Sequence, residues 1–301
     1  MEKKKKLSLF DICIYIIMVI ILFITIYPLY FTVIASFSDA KAVASGEVVW
    51  KPIGFNLDAY KHVFAYKDIW RGYANSLYYT LFGTVFNLML TIPAAYALSK
   101  AHLPYKGIIM TFFLITMYFG GGMIPRYLLM RDIGLLNTRL ILILLGGLSV
   151  YNMIVTRVYF SASISNTLYE AAEIDGASEL RRFFSIALPL SKPIIAVMAL
   201  YYGVWRWNDY YNAMIYTTSK ELEPLQSVLR RVLILNQNAL NEAMIDQTLE
   251  LDAIMAQMKK AYMAYTMKYA VVFIASAPLL MAYPFVQKHF VKGVMIGALK
   301  E

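Results

Sequence analysis

The sequence predicts an all-α integral membrane protein with six transmembrane helices. Hydrophobic residues make up 60% of the 301 positions and charged residues only 16%, against about 25% charged in a soluble domain. The apolar residues fall in long blocks, and a block of roughly 17–25 residues crosses about 30 Å of hydrocarbon as a helix. A soluble chain of this length would have to bury the same surface in one or two cores. The block distribution argues against that.

The first block, Asp11 to Ser36, follows Glu2-Lys3-Lys4-Lys5-Lys6. It is too long for the apolar stretch of a signal peptide, and no small-x-small cleavage site closes it. Five further blocks lie near 76–98, 107–125, 138–160, 193–217 and 269–287, within a single transmembrane domain spanning 1–301. The third ends in Gly120-Gly121-Gly122 and Pro125, so its helix is expected to break there. Broken backbone at membrane depth is tolerated only where protein or a water-filled cavity covers it.

Lysine and arginine set the orientation. The lysine cluster at the start places the N-terminus in the cytoplasm. Six spans then bring Lys288, Lys292 and Lys300 to the same side. The remaining loops favour this arrangement only slightly. Residues 37–75 and 218–268 fall outside and 161–192 inside. The 218–268 connection is too long for a turn. It holds two amphipathic candidates, 225–235 and 249–258. They read either as helices lying on the membrane surface or as a docking site for an extracellular partner.

The formal net charge of +9 suits anionic lipid head groups. No zinc-finger spacing or basic stripe interleaved with aromatics supports nucleic-acid binding. The one cysteine, Cys13, excludes an internal disulfide and a cysteine metal cluster, and His62, His102 and His289 form no HExxH-type pair. No Ser-His-Asp grouping and no paired carboxylates within an apolar run point to an enzyme. No GxxxxGK[ST] phosphate loop is present, so ATP hydrolysis is expected elsewhere. An ion-coupled secondary transporter would need intramembrane carboxylates, and Asp209 is the good candidate.

The cytoplasmic loop carries the main functional signal. Thr167 followed by Glu170 reads as a capping box. Ala171 and Ala172 are strong helix formers of little bulk. Gly176 supplies the left-handed turn that stops a helix. A second helix, Ser178 to Ile186, is expected to end at Leu188-Pro189, with Pro193 in the first turn of the next span. The loop is therefore a helix hairpin: either a docking element for another protein or an ordinary surface hairpin in which Glu170 serves as a cap.

The run Glu170-Ala171-Ala172, three residues, Gly176, nine residues, Ile186, one residue, Leu188-Pro189 resembles the EAA loop of ABC importer permeases. The resemblance implies a type I ABC importer permease fold. It also implies a coupling role for Glu170, Ala171, Ala172, Asp175, Gly176, Ala177, Phe183, Ile186, Leu188 and Pro189. In that family the first helix of the loop sits in a cleft of the ATPase subunit. The C-terminal run from Tyr283 to Gly293, then Gly297-Ala298-Leu299-Lys300, resembles sugar-importer permeases related to the maltose system. Gly121 to Tyr127 and Gly134 to Thr138 resemble the branch handling complex oligosaccharides. The final residue, Glu301, departs from the usual glycine.

The implied assembly has a second homologous permease, an ATPase dimer and an extracellular solute-binding protein in a prokaryotic plasma (inner) membrane. This chain would be a multi-pass, non-catalytic subunit with both termini cytoplasmic. It would bind no cofactor itself, with ATP and Mg on the ATPase. The substrate would be an oligosaccharide, or a non-sugar solute in the same kind of importer.

Polar and aromatic residues within the spans are candidates for the substrate path: Tyr118, Asn152, Tyr202, Trp205, Asn208, Asp209 and Tyr210. Aromatic rings stack on the apolar faces of sugars, and Asn and Asp bond hydroxyls. Arg206 and Asp209 lie three apart and can pair across one helix face. The other reading of this segment is an interfacial aromatic belt with an internal salt bridge. Asn87 and Asn152 read as hydrogen-bonding glue between helices.

Overall fold

The computed structural model describes residues 8–232, 234, 262, 266–281 and 284, and every regular element among them is helical. The lysines at 3–6, the helix expected over 249–258 and the segment from 285 onward lie outside the described residues. Two compact units are formed: Met1–Lys67 with Leu229–Ala277, and Asp68–Val228 with Pro278–Glu301. Among the described residues, Leu9–Ser36 and Lys67–Ser99 are long and apolar enough to cross a membrane, and two bent helix pairs raise the count to four. The apolar helix Thr266–Met281 is shorter.

In the first unit, Ser8 and Asp11 form a capping box that starts the helix Leu9–Ser36. Its apolar side chains are exposed along most of its length, with burial confined to Ile34, Ala35 and Ser36 at the end. Exposed apolar length of this kind is stable only in lipid or against another membrane protein. Ile34 and Ala35 pack with Ala42, Val43 and Val48 in a small core under the following segment. The Ser36 hydroxyl and the Tyr60 hydroxyl hydrogen-bond at 2.8 Å within it.

In the second unit, the helix Lys67–Ser99 is the central pillar. It packs at its C-terminal end against Met153, Phe160, Tyr169 and Phe183, and nearer its start, at Tyr79, against Ile141 to Ile143. Three of the expected spans are broken, the first where its glycines predict and the other two where continuous helices are expected. The region 107–125 forms Lys106–Tyr118 and Met123–Asp132, bent by 108°. Gly122 has φ +85°, and the glycines 120–122 are exposed. Among the described residues, none covers this break.

The region 138–160 forms Arg139–Leu144 and Val150–Ser163, separated by Leu145-Gly146-Gly147-Leu148-Ser149. Gly146 takes φ +66°, a conformation that favours glycine. The region 193–217 forms Lys192–Trp207 and Tyr211–Tyr216, with Pro193 in the first turn of the former.

The second loop helix also differs from expectation. It does not end at Leu188-Pro189 but runs from Glu179 to Leu190 and then bends by 78° into Lys192–Trp207. Residues Phe183–Ala187 form a π-helical turn in which the Leu188 N–H donates to the Phe183 carbonyl. Pro189 would remove a bond to the carbonyl four residues back and clash with it. The widened turn moves that carbonyl aside, so the helix passes through the proline.

Candidate coupling loop and translocation face

The candidate coupling loop begins with the helix Asn166–Ile174. Its cap is Ser165, not Thr167: the Ser165 hydroxyl accepts the Thr167 N–H at 3.3 Å. The helix closes in a Schellman turn, as expected from Gly176. That residue has φ +73°, its N–H donates to Glu173 O at 2.9 Å, and the Ala177 N–H donates to Ala172 O at 2.8 Å. Ser178 then caps the next helix by accepting the Arg181 N–H.

Glu170, Ala171, Asp175 and Gly176 are exposed on this hairpin, and Ala172 and Ala177 are half-buried. Beside them stand large exposed apolar side chains: Leu168, Leu180, Phe184 and Ile174, the last 88% exposed. Large apolar side chains exposed on a polar hairpin are the kind of surface that protein contacts cover. Phe183, Ile186 and Leu188 instead face the core under the hairpin, where Phe183 is buried and packs on Tyr96 at a ring separation of 4.9 Å. Those three support the loop from behind, and Pro189 is exposed at the π turn.

Behind the hairpin lies a charged cluster that no sequence pattern singled out. Arg182 pairs with Glu173 at 2.8 Å and Glu179 at 3.0 Å. Lys100 Nζ sits 3.0 Å from the centre of the Tyr169 ring and 4.4 Å from that of Tyr96. Burial pushes the Lys100 ammonium down to about 8, against the pull of Glu179. Burial likewise pushes the Tyr169 hydroxyl up to about 12. The only signal for this cluster was lysine at the end of a span, too common to be informative. The pairings cross from residue 100 to residues 169–182.

At the other end of the helix Lys192–Trp207, a cavity of about 510 Å³ is lined by Tyr201, Val204, Trp205, Asn208, Asp209, Tyr210 and Tyr211. Four of the predicted path residues, Trp205, Asn208, Asp209 and Tyr210, are thus brought together. Three are not. Tyr118 is exposed at the end of its own helix. Asn152 is buried near the start of Val150–Ser163. Tyr202, 2% exposed, points into the core, where its hydroxyl bonds Thr91 at 2.6 Å and accepts the Ser149 N–H at 3.2 Å.

The expected Arg206–Asp209 pair does not form. Arg206, 3% exposed, donates Nε to Asn87 Oδ1 at 3.0 Å, Nη1 to the Leu142 carbonyl, and Nη2 to the Ile143 carbonyl at 2.7 Å. Asp209 accepts the Asn212 backbone N–H at 3.1 Å and its side-chain amide at 2.7 Å. The physical reason is the broken helix 139–163. Its orphaned carbonyls in a low-dielectric interior need donors more than Asp209 needs a cation.

Asn87 completes the repair, donating to the carbonyls of Gly146 and Gly147 at 2.7 Å each. It is the expected interhelical glue, with backbone as its target. Gly83 makes room, because a Cβ there would lie 2.6 Å from Arg206 Nε. The face that remains beside Trp205 is aromatic, with one carboxylate and one amide.

Residues 69–296 match the family described as binding-protein-dependent transport system inner membrane component. Protein LplC of Bacillus subtilis (strain 168) is 37% identical over 301 residues, covering 100% of this chain and 98% of LplC. The polygalacturonan/rhamnogalacturonan transport system permease protein YtcP of the same organism is 34% identical over 297 residues, covering 98% of this chain and 99% of YtcP. The structure is similar to a chain from the crystal structure of a bacterial ABC transporter involved in the import of the acidic polysaccharide alginate. The TM-score is 0.82 at 33% identity, over 95% of this chain and 100% of that one.

Proposed function

This chain belongs to the binding-protein-dependent transport system inner membrane component family, and from that premise we propose that it forms half of an oligosaccharide translocation pore, driven by a separate ATPase through the hairpin 166–190. It is the permease component of an ABC importer, a non-catalytic membrane subunit that works with another permease, an ATPase and a binding protein. The choice of oligosaccharide over another solute rests on relatives named for polygalacturonan/rhamnogalacturonan transport and for import of the acidic polysaccharide alginate. The cavity beside Trp205 offers the matching chemistry: rings to stack on sugar faces, and Asn208 and Asp209 to bond hydroxyls.

The observation that carries the coupling assignment is the exposed apolar surface of Leu168, Ile174, Leu180 and Phe184 on the hairpin that holds Glu170 and Ala171. Water contact for such a face is unfavourable by about 25 cal/mol per Å², and a cleft on the ATPase removes it. Glu170, Ala171, Ala172, Asp175, Gly176 and Ala177 would form the contact, while Phe183, Ile186, Leu188 and Pro189 shape the element that carries it.

In the proposed cycle, a loaded solute-binding protein docks on the outer segments 37–75 and 218–268. ATP closes the ATPase dimer, and the pore switches from inward-facing to outward-facing. This is coupling between distinct sites through a two-state element. Six spans with cytoplasmic termini in a prokaryotic plasma membrane complete the topology. ATP and Mg are held by the ATPase, and no cofactor by this chain. The uncovered break at Gly120-Gly121-Gly122 supports a second permease subunit at that face, since exposed irregular backbone is not tolerated in lipid.

The test is ATP-dependent uptake of labelled oligosaccharides by vesicles containing the whole assembly. Uptake that requires ATP and the binding protein supports the proposal. ATP-independent uptake abolished by an ionophore overturns it in favour of ion coupling at Asp209.

A further inference from the structure

The coupling helix Asn166–Ile174 has one buried residue, Tyr169. Beyond the chain connections at its two ends, the side-chain contacts of this helix with the rest of the unit therefore centre on Tyr169 and on an ion pair at the helix surface. Both routes lead to the end of Lys67–Ser99. On the first, Lys100 Nζ lies over the Tyr169 ring at 3.0 Å from its centre, and also faces the Tyr96 ring at 4.4 Å. Tyr96 and Tyr169 meet edge to face with centroids 6.1 Å apart. On the second, Arg182 clamps Glu173 of the coupling helix and Glu179 of the next helix, and Glu179 accepts the Tyr96 hydroxyl at 3.1 Å. The two routes close a ring of contacts through Tyr96.

We propose that Lys100, Tyr96 and Tyr169 form a strut that locks the coupling helix to the cytoplasmic end of the helix Lys67–Ser99, so that the two move as one body. The proposal rests on the coupling reading above and deepens it by naming positioning residues that never touch the ATPase cleft. The Tyr169 hydroxyl is buried and has no hydrogen-bond partner, so the ring, not the hydroxyl, makes the contact. A lysine cation over a partly desolvated ring is a directional attraction that neutral lysine lacks. The strut is therefore intact while Lys100 is charged. With its ammonium pushed down to about 8, it is charged below that pH and neutral above it. The groups facing it are Tyr96, Tyr169, Glu173, Glu179 and Arg182, with His102 and Glu170 also lining the open cavity there.

The test uses the permease–ATPase complex in lipid nanodiscs, with Cys13→Ser and spin labels at Thr167→Cys and Tyr105→Cys, both exposed positions outside the proposed ATPase contact. Label-to-label distances are read by electron paramagnetic resonance with and without ATP-vanadate trapping. The expected result is one narrow distance shared by both states. Lys100→Met and Tyr169→Leu should lower the ratio of molecules at that distance to molecules away from it roughly tenfold, while Lys100→Arg and Tyr169→Phe retain it. Raising the pH through about 8 should broaden the wild-type distance but not that of Lys100→Arg. A wild-type distance that shifts on trapping overturns the strut. So does a Lys100→Met variant matching wild type, or a pH response equal in wild type and Lys100→Arg. If no ATPase co-purifies even with wild type, the coupling reading falls. The pH comparison on the permease alone still judges the strut.

Discussion

Replacing Arg206 with methionine removes the guanidinium but keeps most of its apolar stem. Three acceptors lose their donor: Asn87 Oδ1 and the carbonyls of Leu142 and Ile143, at the C-terminal end of the helix Arg139–Leu144. A buried acceptor left without a donor costs about 1–3 kcal/mol. Three such acceptors, less the desolvation cost recovered when a buried cation is removed, leave a net loss of about 3–5 kcal/mol. At roughly 2–4 °C per kcal/mol for a chain of this size, the midpoint should fall by about 10 °C in far-ultraviolet circular dichroism of the purified protein. Asp209→Ala removes a carboxylate that holds only Asn212, at a partly exposed site. It should cost about 1 kcal/mol, as for loss of a capping side chain. The two residues share no hydrogen-bond partner but lie three apart and attract through space, so the double variant should depart from additivity by no more than about 1 kcal/mol. Equal single-site losses with strong non-additivity would restore the Arg206–Asp209 pair and refute the assignment of Arg206 to the broken helix.

The same junction gives further expectations. Gly146→Ala places a Cβ 2.4 Å from Trp205 Cη2 at a residue with φ +66°, so a loss of about 2–4 kcal/mol is expected in the same assay. Tyr202→Phe strips a hydroxyl from Thr91 and the Ser149 N–H; a midpoint drop equivalent to about 1–3 kcal/mol is expected, and wild-type stability would show that this contact is dispensable. Trp205→Ala, at the exposed rim of the cavity, should reduce oligosaccharide uptake about tenfold through loss of ring stacking, with ATPase activity retained; unchanged uptake would move the substrate path elsewhere.

Fold class was legible because hydrophobic blocks and loop charges are local properties of a chain in lipid. The coupling hairpin was legible for a different reason. Gly176 and the small residues around it specify a turn almost by themselves, and the Schellman bonds appear where that glycine requires them. The cap was misplaced by two residues because Ser165 and Thr167 are both competent, and only the backbone direction chooses between them. Arg206 could not be read correctly, since its partners lie 63, 64 and 119 residues away. Spacing along one helix offers Asp209 as the obvious partner, while the real demand comes from carbonyls freed at a break in another helix. Gly146-Gly147 inside an apolar block was the available hint. Tyr202 went astray for a related reason: a tyrosine in a span reads equally well as a lining residue or as a buried donor to broken backbone.

The most direct measurement is affinity purification of the tagged chain in mild detergent from cells expressing its neighbours, with mass spectrometry of what is retained. The wild type should bring down an ATPase and a second permease. Gly176→Val should keep the second permease but lose the ATPase, since φ +73° at that position opposes a β-branched residue while no neighbouring atom lies within 4 Å to disturb the fold. An ATPase retained equally by Gly176→Val and by Glu170→Lys would contradict the assignment of the hairpin as the coupling element.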